Sequence, residues 1–245
     1  MIYKQNSHTH TSAIMIQKFY KQREFAIEMK AAIFDMDGTL IDSLMIWDVL
    51  WSKFGEKYLN DKSFRPTKED DKKVRTLTLK DAMDLIHQNY NIGESGEELL
   101  NYTNRVMVDF YSNEVMVKDG VIEFLEHCKS NGVKMCIATA TAMELLTYAL
   151  KRCDLEKYFL KVFSCGDIGN GKDKPDIFVL AQEFLGEKVS ETWVIEDSLV
   201  AIETATKIGM PTIGIYDQFN YGQDRIKEIA TKYVAKGETL LKLLK

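Results

Sequence analysis

The amino-acid sequence predicts a doubly wound α/β fold, a parallel sheet with helices on both faces, and a helical domain inserted after its first strand. Three observations carry that expectation. An apolar run, Ala31-Ala32-Ile33-Phe34, reads as a buried strand; residues 44–116 then show helical spacing and no persuasive strand; and from Lys118 onward strands and helices alternate. Alternation of this kind implies a parallel sheet covered on both faces.

Taken in order, residues 1–28 are polar and then mildly amphipathic, and are expected to be an extension outside the core, with Met29 opening the folded domain. The competing arrangement is a helix from Ile14 to Glu28 packed on the core; His8 and His10 sit in a terminal segment, where such pairs usually bind nothing specific. Residues 29–43 and 117–245 form the expected core and 44–116 the helical domain. In the latter, Ile46, Trp47, Leu50, Trp51 and Phe54 fall at helix spacing after a candidate N-cap at Ser43. A charged loop is expected over Asp61–Lys73, a second helix after Thr78, and a third over Glu97–Asn113. In the core the spacing predicts helices over Val121–Ser130, Thr141–Arg152, Pro175–Leu185, Ser198–Ile208 and Gly222–Thr231, with a last helix from Glu238. The intervening strands are Val133–Ala138, Val162–Cys165, Thr192–Glu196, Pro211–Tyr216 and a short one at Tyr233–Ala235.

Composition narrows the class. With 45% hydrophobic and 28% charged residues among 245, the chain is an ordinary globular one with room for a large core. Its 32 basic and 37 acidic residues give −5 without a basic stripe, which argues against nucleic acid as a partner. Cys128, Cys136, Cys153 and Cys165 lack CxxC spacing, so reduced thiols are expected rather than zinc or disulfides. No apolar run reaches membrane-spanning length and no signal peptide is evident, so the expected location is cytoplasmic, with no membrane partner. Nothing in the sequence speaks to oligomeric state.

The polar residues at the strand ends suggest the chemistry. The first strand ends at Asp35, with Asp37, Gly38 and Thr39 just beyond; another ends at Thr139, followed by Ala140 and Thr141; a third ends at Glu196-Asp197. Between them lies Gly171-Lys172-Asp173-Lys174-Pro175-Asp176. Parallel strands bring such ends to one edge, where ligands bind. A carboxylate there can attack phosphorus and form an aspartyl-phosphate, dividing one hard displacement into two steps. Its charge repels a phosphate, so Mg²⁺ and a lysine are needed to offset the repulsion. Asp35, a backbone carbonyl near Asp37, Asp197 and Glu196 could supply the oxygen ligands. Thr139 and nearby N–H groups could hold phosphate oxygens, and Asp37 could move the proton. Each residue also has a bland account: Thr139 as a cap, Lys172 as a solvated charge, Glu196-Asp197 as a helix-start pair. Those accounts leave the convergence on one edge unexplained.

Four segments, DMDGTLIDS, ATAT, GKDKPDIF and VIEDSLVAIETATKIGM, resemble the motifs of the haloacid dehalogenase superfamily in its phosphatase and phosphomutase branch, in the family's order. The resemblance spans Ala31 to about Tyr216, outside the poorly matched helical domain, and implies a Rossmann-like core with a helical cap. It implies Asp35 as nucleophile, Asp37 as acid/base, Thr139 as phosphate binder with Ala140, and Asp197 as a Mg²⁺ ligand partnered by Glu196. Aligning on Pro175-Asp176-Ile177-Phe178 puts Lys172 rather than Lys174 at the catalytic position, although Asp173 replaces a common proline. Asp42, Ser43 and Asp176 read as turn and cap residues, and Arg75 and Lys80 as a solvated face rather than substrate contacts.

The expected activity is therefore a Mg²⁺-dependent phosphatase acting on a small phosphorylated metabolite. A sugar phosphomutase of the β-phosphoglucomutase type is the alternative, but Trp47 stands about where that group carries a histidine. A catalytically idle binding module would be expected to lack Asp35 or Asp37, and both are present.

Overall fold

A computed structural model of the chain describes residues 28–75 and 77–244. The extension, with His8, His10 and the possible helix from Ile14, lies outside the described residues save for Glu28. The elements run β1 (Ala31–Phe34), α1 (Ile46–Phe54), α2 (Lys68–Val74), α3 (Leu79–Tyr90), α4 (Gly96–Asn113), α5 (Val121–Ser130) and β2 (Lys134–Thr139). They continue α6 (Met143–Arg152), β3 (Val162–Ser164), α7 (Cys165–Ile168), α8 (Asp176–Leu185), β4 (Thr192–Glu196), α9 (Leu199–Lys207), β5 (Thr212–Ile215), α10 (Gln223–Ile229) and β6 (Lys232–Val234).

The six strands form one sheet in the order β3-β2-β1-β4-β5-β6, and every pairing is parallel. β1 is central and has no exposed residue, so all four of its side chains are apolar. Alternation along it divides the core in two. Ala31 and Ile33 join Cys136, Ala138 and Val194 in a cluster covered by Phe178 and Ala181 of α8 and Ala201 and Ala205 of α9. On the other face Phe34 meets the ring of Phe124 from α5 edge-on, with centroids 6.3 Å apart. Helices therefore cover both faces, as a parallel sheet requires.

The chain divides into two compact units. One comprises the described residues up to Asp42, Met116–Met143 and those from Cys153 onward; the other comprises Ser43–Val115 with Glu144–Arg152. The second unit is helical. α1 runs into a π-helical turn, Gly55–Leu59, ended by Asn60 in the left-handed region at φ 54°. α3 and α4 pack closely where Gly96 faces Asp84: a Cβ at that glycine would lie 1.9 Å from Asp84 Oδ1.

Four local expectations need correction. The charged segment Asp61–Lys73 is not all loop, because α2 starts after Thr67, whose hydroxyl accepts from Asp70 N. Trp51 Nε1 donates to Asp71 Oδ1 of that helix at 2.8 Å, giving it a buried anchor. Ser43 is not the cap of α1; Met45 holds that position, and the Ser43 carbonyl accepts from Ile46 N at 2.9 Å. β3 stops at Ser164, where that hydroxyl accepts from Gly166 N and starts the four-residue α7. The expected last helix is a 3₁₀ turn, Leu240–Leu243, capped by Thr239. None of the four cysteines forms a disulfide, three being buried and Cys153 half-buried. No helix among the described residues is long and apolar enough to cross a membrane.

Candidate active site

The sheet register sets the site. Phe34 pairs with Ile137 of β2 and Ile195 of β4, so the next residues along the three strands, Asp35, Ala138 and Glu196, come level at the carboxyl edge. Asp35 N donates to Ile195 O at 2.9 Å, which carries the β1–β4 ladder one residue beyond the strand and holds the Asp35 backbone in place. The chain then turns tightly. Leu40 N and Ile41 N both donate to Met36 O, at 2.9 and 3.1 Å, and Gly38 takes a φ of 80°, a conformation that a β-carbon would strain.

Asp35, Glu196 and Asp197 each place a carboxylate oxygen within 4.8 Å of the other two, and all three residues are buried. Lys172 Nζ enters this group, bonding Asp35 Oδ1 and, at 2.6 Å, Glu196 Oε1. Glu196 Oε2 accepts from Ser198 N at 2.7 Å, so both of its oxygens are engaged. Asp197 Oδ1 accepts from Thr39 Oγ1 at 3.0 Å. Asp37 lies outside the trio, and its Oδ2 accepts from Thr141 Oγ1 at 2.6 Å. Thr139, at the end of β2, is buried, and its Oγ1 accepts from Thr141 N at 3.0 Å; Ala140 is exposed.

Three carboxylates and one ammonium leave this pocket short of positive charge. Burial pushes the Asp35 carboxyl well above its ordinary value against the pull of Lys172, and Glu196, Asp197 and Asp37 reinforce the rise. Burial, followed by repulsion from Glu196, pushes Asp197 up to about 7. Burial would lower Lys172, but Asp35 and Glu196 outweigh it and hold the ammonium above its usual range. Such a pocket keeps its lysine charged and makes Asp35 and Asp197 reluctant to ionise. A divalent cation relieves that imbalance, and a set made only of carboxylate oxygens suits a hard ion such as Mg²⁺. The residues therefore fit the group.

The sequence-predicted residues Asp35, Lys172, Glu196 and Asp197 come together here, with Thr139 at the same edge of the sheet. Lys174 does not join them; its Nζ donates to Asn170 Oδ1 at 2.9 Å in an exposed position. The carboxylate of Asp37 is not part of the trio, so a metal role for this residue rests on its main-chain carbonyl. Thr39 also reaches this site, since its hydroxyl donates to Asp197. Sequence reasoning missed the bond from Thr141 to Asp37. It also missed Asn220, whose Nδ2 donates to Asp197 Oδ2 at 2.8 Å and to Asp197 O at 3.1 Å. The one signal for it was the polar run after β5, another strand end at the same edge.

The chain is similar to known proteins in sequence and in fold. A family model of haloacid dehalogenase-like hydrolases matches residues 29–209. A phosphorylated carbohydrates phosphatase of Thermotoga maritima is 29% identical over 219 residues, covering 89% of this chain and 99% of its own. Protein CbbY of Rhodobacter capsulatus is 26% identical, over 81% of this chain and 90% of its own. Among solved structures, a candidate β-phosphoglucomutase from Thermotoga maritima aligns with a TM-score of 0.70 at 27% identity, over 84% of this chain and 94% of its own.

Proposed function

The chain belongs to the haloacid dehalogenase-like hydrolases, and on that premise we propose that it is a Mg²⁺-dependent phosphatase of small phosphorylated carbohydrates working through an aspartyl-phosphate. The observation that carries the reading is the buried meeting of Asp35, Glu196 and Asp197 around Lys172. The carbohydrate class rests on the Thermotoga maritima phosphatase, which this chain matches over nearly its full length.

In the first step a carboxylate oxygen of Asp35 bonds to phosphorus as the ester P–O bond breaks, and Asp37 gives its proton to the departing alkoxide. In the second, Asp37 takes a proton from water while that water's oxygen bonds to phosphorus, releasing inorganic phosphate and restoring Asp35. This use of one group as acid and then base contributes roughly 10²–10⁴-fold in comparable enzymes. Asp35, Asp197 and Glu196, with the main-chain carbonyl of Asp37, would hold Mg²⁺, which would supply positive charge to offset the negative charge of nucleophile and phosphate. Lys172 adds a fixed positive charge beside the nucleophile. Thr139 Oγ1 already accepts from Thr141 N, which leaves its proton for a phosphate oxygen, and the N–H of Ala140 stands next in the chain. Thr141 restrains the Asp37 carboxylate for its two proton transfers.

The test is phosphate release from a panel of hexose and pentose phosphates, phosphoglycolate and nucleotides, with and without Mg²⁺. Turnover confined to sugar phosphates and dependent on Mg²⁺ is the expected result; a flat profile, or full activity in chelator, overturns it. A mutase reading draws on the β-phosphoglucomutase neighbour. Incubation with a hexose 1-phosphate separates the two, because a mutase gives the 6-phosphate isomer where a phosphatase gives free sugar.

A further inference from the structure

Asn220 holds the Asp197 carboxylate by an arrangement more elaborate than a loop contact needs. Its amide is fully used: Oδ1 accepts from Tyr221 N at 2.9 Å, and Nδ2 donates both to Asp197 Oδ2 at 2.8 Å and to Asp197 O at 3.1 Å. The Tyr221 N–H can be received only by oxygen, so the amide orientation follows from the bonding itself. With Thr39 Oγ1 on the other oxygen at 3.0 Å, both oxygens of Asp197 are gripped by neutral donors that come from opposite sides in sequence.

The loop that carries Asn220 is itself tied down. Asp217, buried, accepts from Phe219 N at 2.9 Å through Oδ1 and from Lys118 Nζ at 2.7 Å through Oδ2. Asn220 N in turn donates to Asp217 O at 3.3 Å. Lys118 Nζ also donates to Gly38 O at 2.5 Å, within the turn that follows Asp35. One ammonium therefore links the turn after β1 to the loop after β5, and that loop holds the residue that follows β4.

We propose that Asn220, braced by the Asp217–Lys118 pair, is a positioning residue that presets the Asp197 carboxylate for a divalent cation. This rests on the metal site put forward under Proposed function. A carboxylate that keeps one rotamer before the ion arrives does not have to be ordered on binding, and such outer partners typically carry 10- to 100-fold of metal affinity. Neutral amide and hydroxyl donors suit the role, since they orient the carboxylate without neutralising the charge that attracts the ion.

The experiment titrates Mn²⁺ alone into the full chain and follows free Mn²⁺ by electron paramagnetic resonance. Asn220→Ala is expected to raise the dissociation constant roughly 10- to 100-fold. The thermal midpoint in chelator should stay close to the parent's, and KM for an aryl phosphate at saturating Mg²⁺ should be unchanged. Asn220→Leu, which fills the amide's volume without its donors, should behave alike and separates lost bonding from a void. Asp197→Ala, run alongside, identifies the site by abolishing the tight binding step. A dissociation constant within twofold of the parent in both Asn220 variants overturns the positioning role and leaves the phosphatase reading intact. A parent with no Asp197-dependent Mn²⁺ uptake overturns the metal site and this inference together.

Discussion

Lys172 sets the charge balance of the site, because among the described residues it alone pairs with two of the three clustered carboxylates. Its head is almost fully enclosed, and removing it would leave Asp35 and Glu196 buried with no cation, a costly situation in a low-dielectric pocket. We expect Lys172→Met to cut phosphate release from an aryl phosphate by at least about a hundredfold, the scale of losing a preorganised charge beside developing negative charge. Lys174→Met should stay within about twofold, because Lys174 bonds outward to Asn170 and exposed charges of this kind contribute little. The reverse ranking would exchange their roles. Asp35→Asn should abolish turnover while the protein stays folded, and full turnover in that variant would falsify the nucleophile assignment. The motif segments made these residues legible: Asp35 is the polar residue that ends an apolar run, and Lys172 was placed by its spacing from Pro175-Asp176-Ile177-Phe178. Asn220 was not legible in that way. It reaches Asp197 from a loop 23 positions away, through side-chain bonds that no local spacing encodes.

Local signals decided which elements could be read from sequence. α3 and α4 begin after Thr78 and Ser95, whose hydroxyls accept from Asp81 N and Glu98 N; a capping hydroxyl three residues before an acidic side chain is a pattern visible in the chain itself. Glu98 also reaches back past the cap, its Oε2 accepting from Glu94 N at 2.9 Å. Ser95→Ala should lower stability by about 1 kcal/mol, the usual worth of such a cap, with a reduced urea midpoint and an unchanged slope as the readout. No change in midpoint would mean that packing alone holds the start of α4. The same logic shows why α2 was read as loop. Six of the seven residues from Lys68 to Val74 are charged, and only Val74 is apolar, so no apolar period marks it, and its anchor is the indole of Trp51 from another helix. Ser43 failed as a cap for the opposite reason, a suitable residue type placed two positions too early.

At the scale of the whole molecule, a site short of cations ties folding to pH and to metal. The unfolded chain ionises Asp197 near the ordinary carboxylate value, 3.8, whereas burial raises it to about 7 in the folded state. Between those values the folded state binds the extra proton, so stability falls as pH rises through the interval. Asp35, also raised chiefly by burial, adds a contribution of the same sign. Lys172 does not oppose this below pH 8, since its raised value affects stability only near and above the ordinary lysine range, 10.5. In chelator, then, the melting temperature should decline between pH 5 and pH 8, the reverse of what salt-bridged surface carboxylates produce. Saturating Mg²⁺ should flatten that decline, because the ion takes the place of the protons and binds only the folded state. Differential scanning calorimetry at several pH values, with and without Mg²⁺, measures both effects. The decisive comparison is Asp197→Asn, which removes one of the two raised carboxyls while keeping the shape: in chelator its melting temperature should vary less with pH than the parent's, and added Mg²⁺ should move it little. A parent whose stability in chelator rises steadily from pH 5 to pH 8 would show that the carboxylates remain ionised without a metal, and that the pocket's charge is met by Lys172 alone.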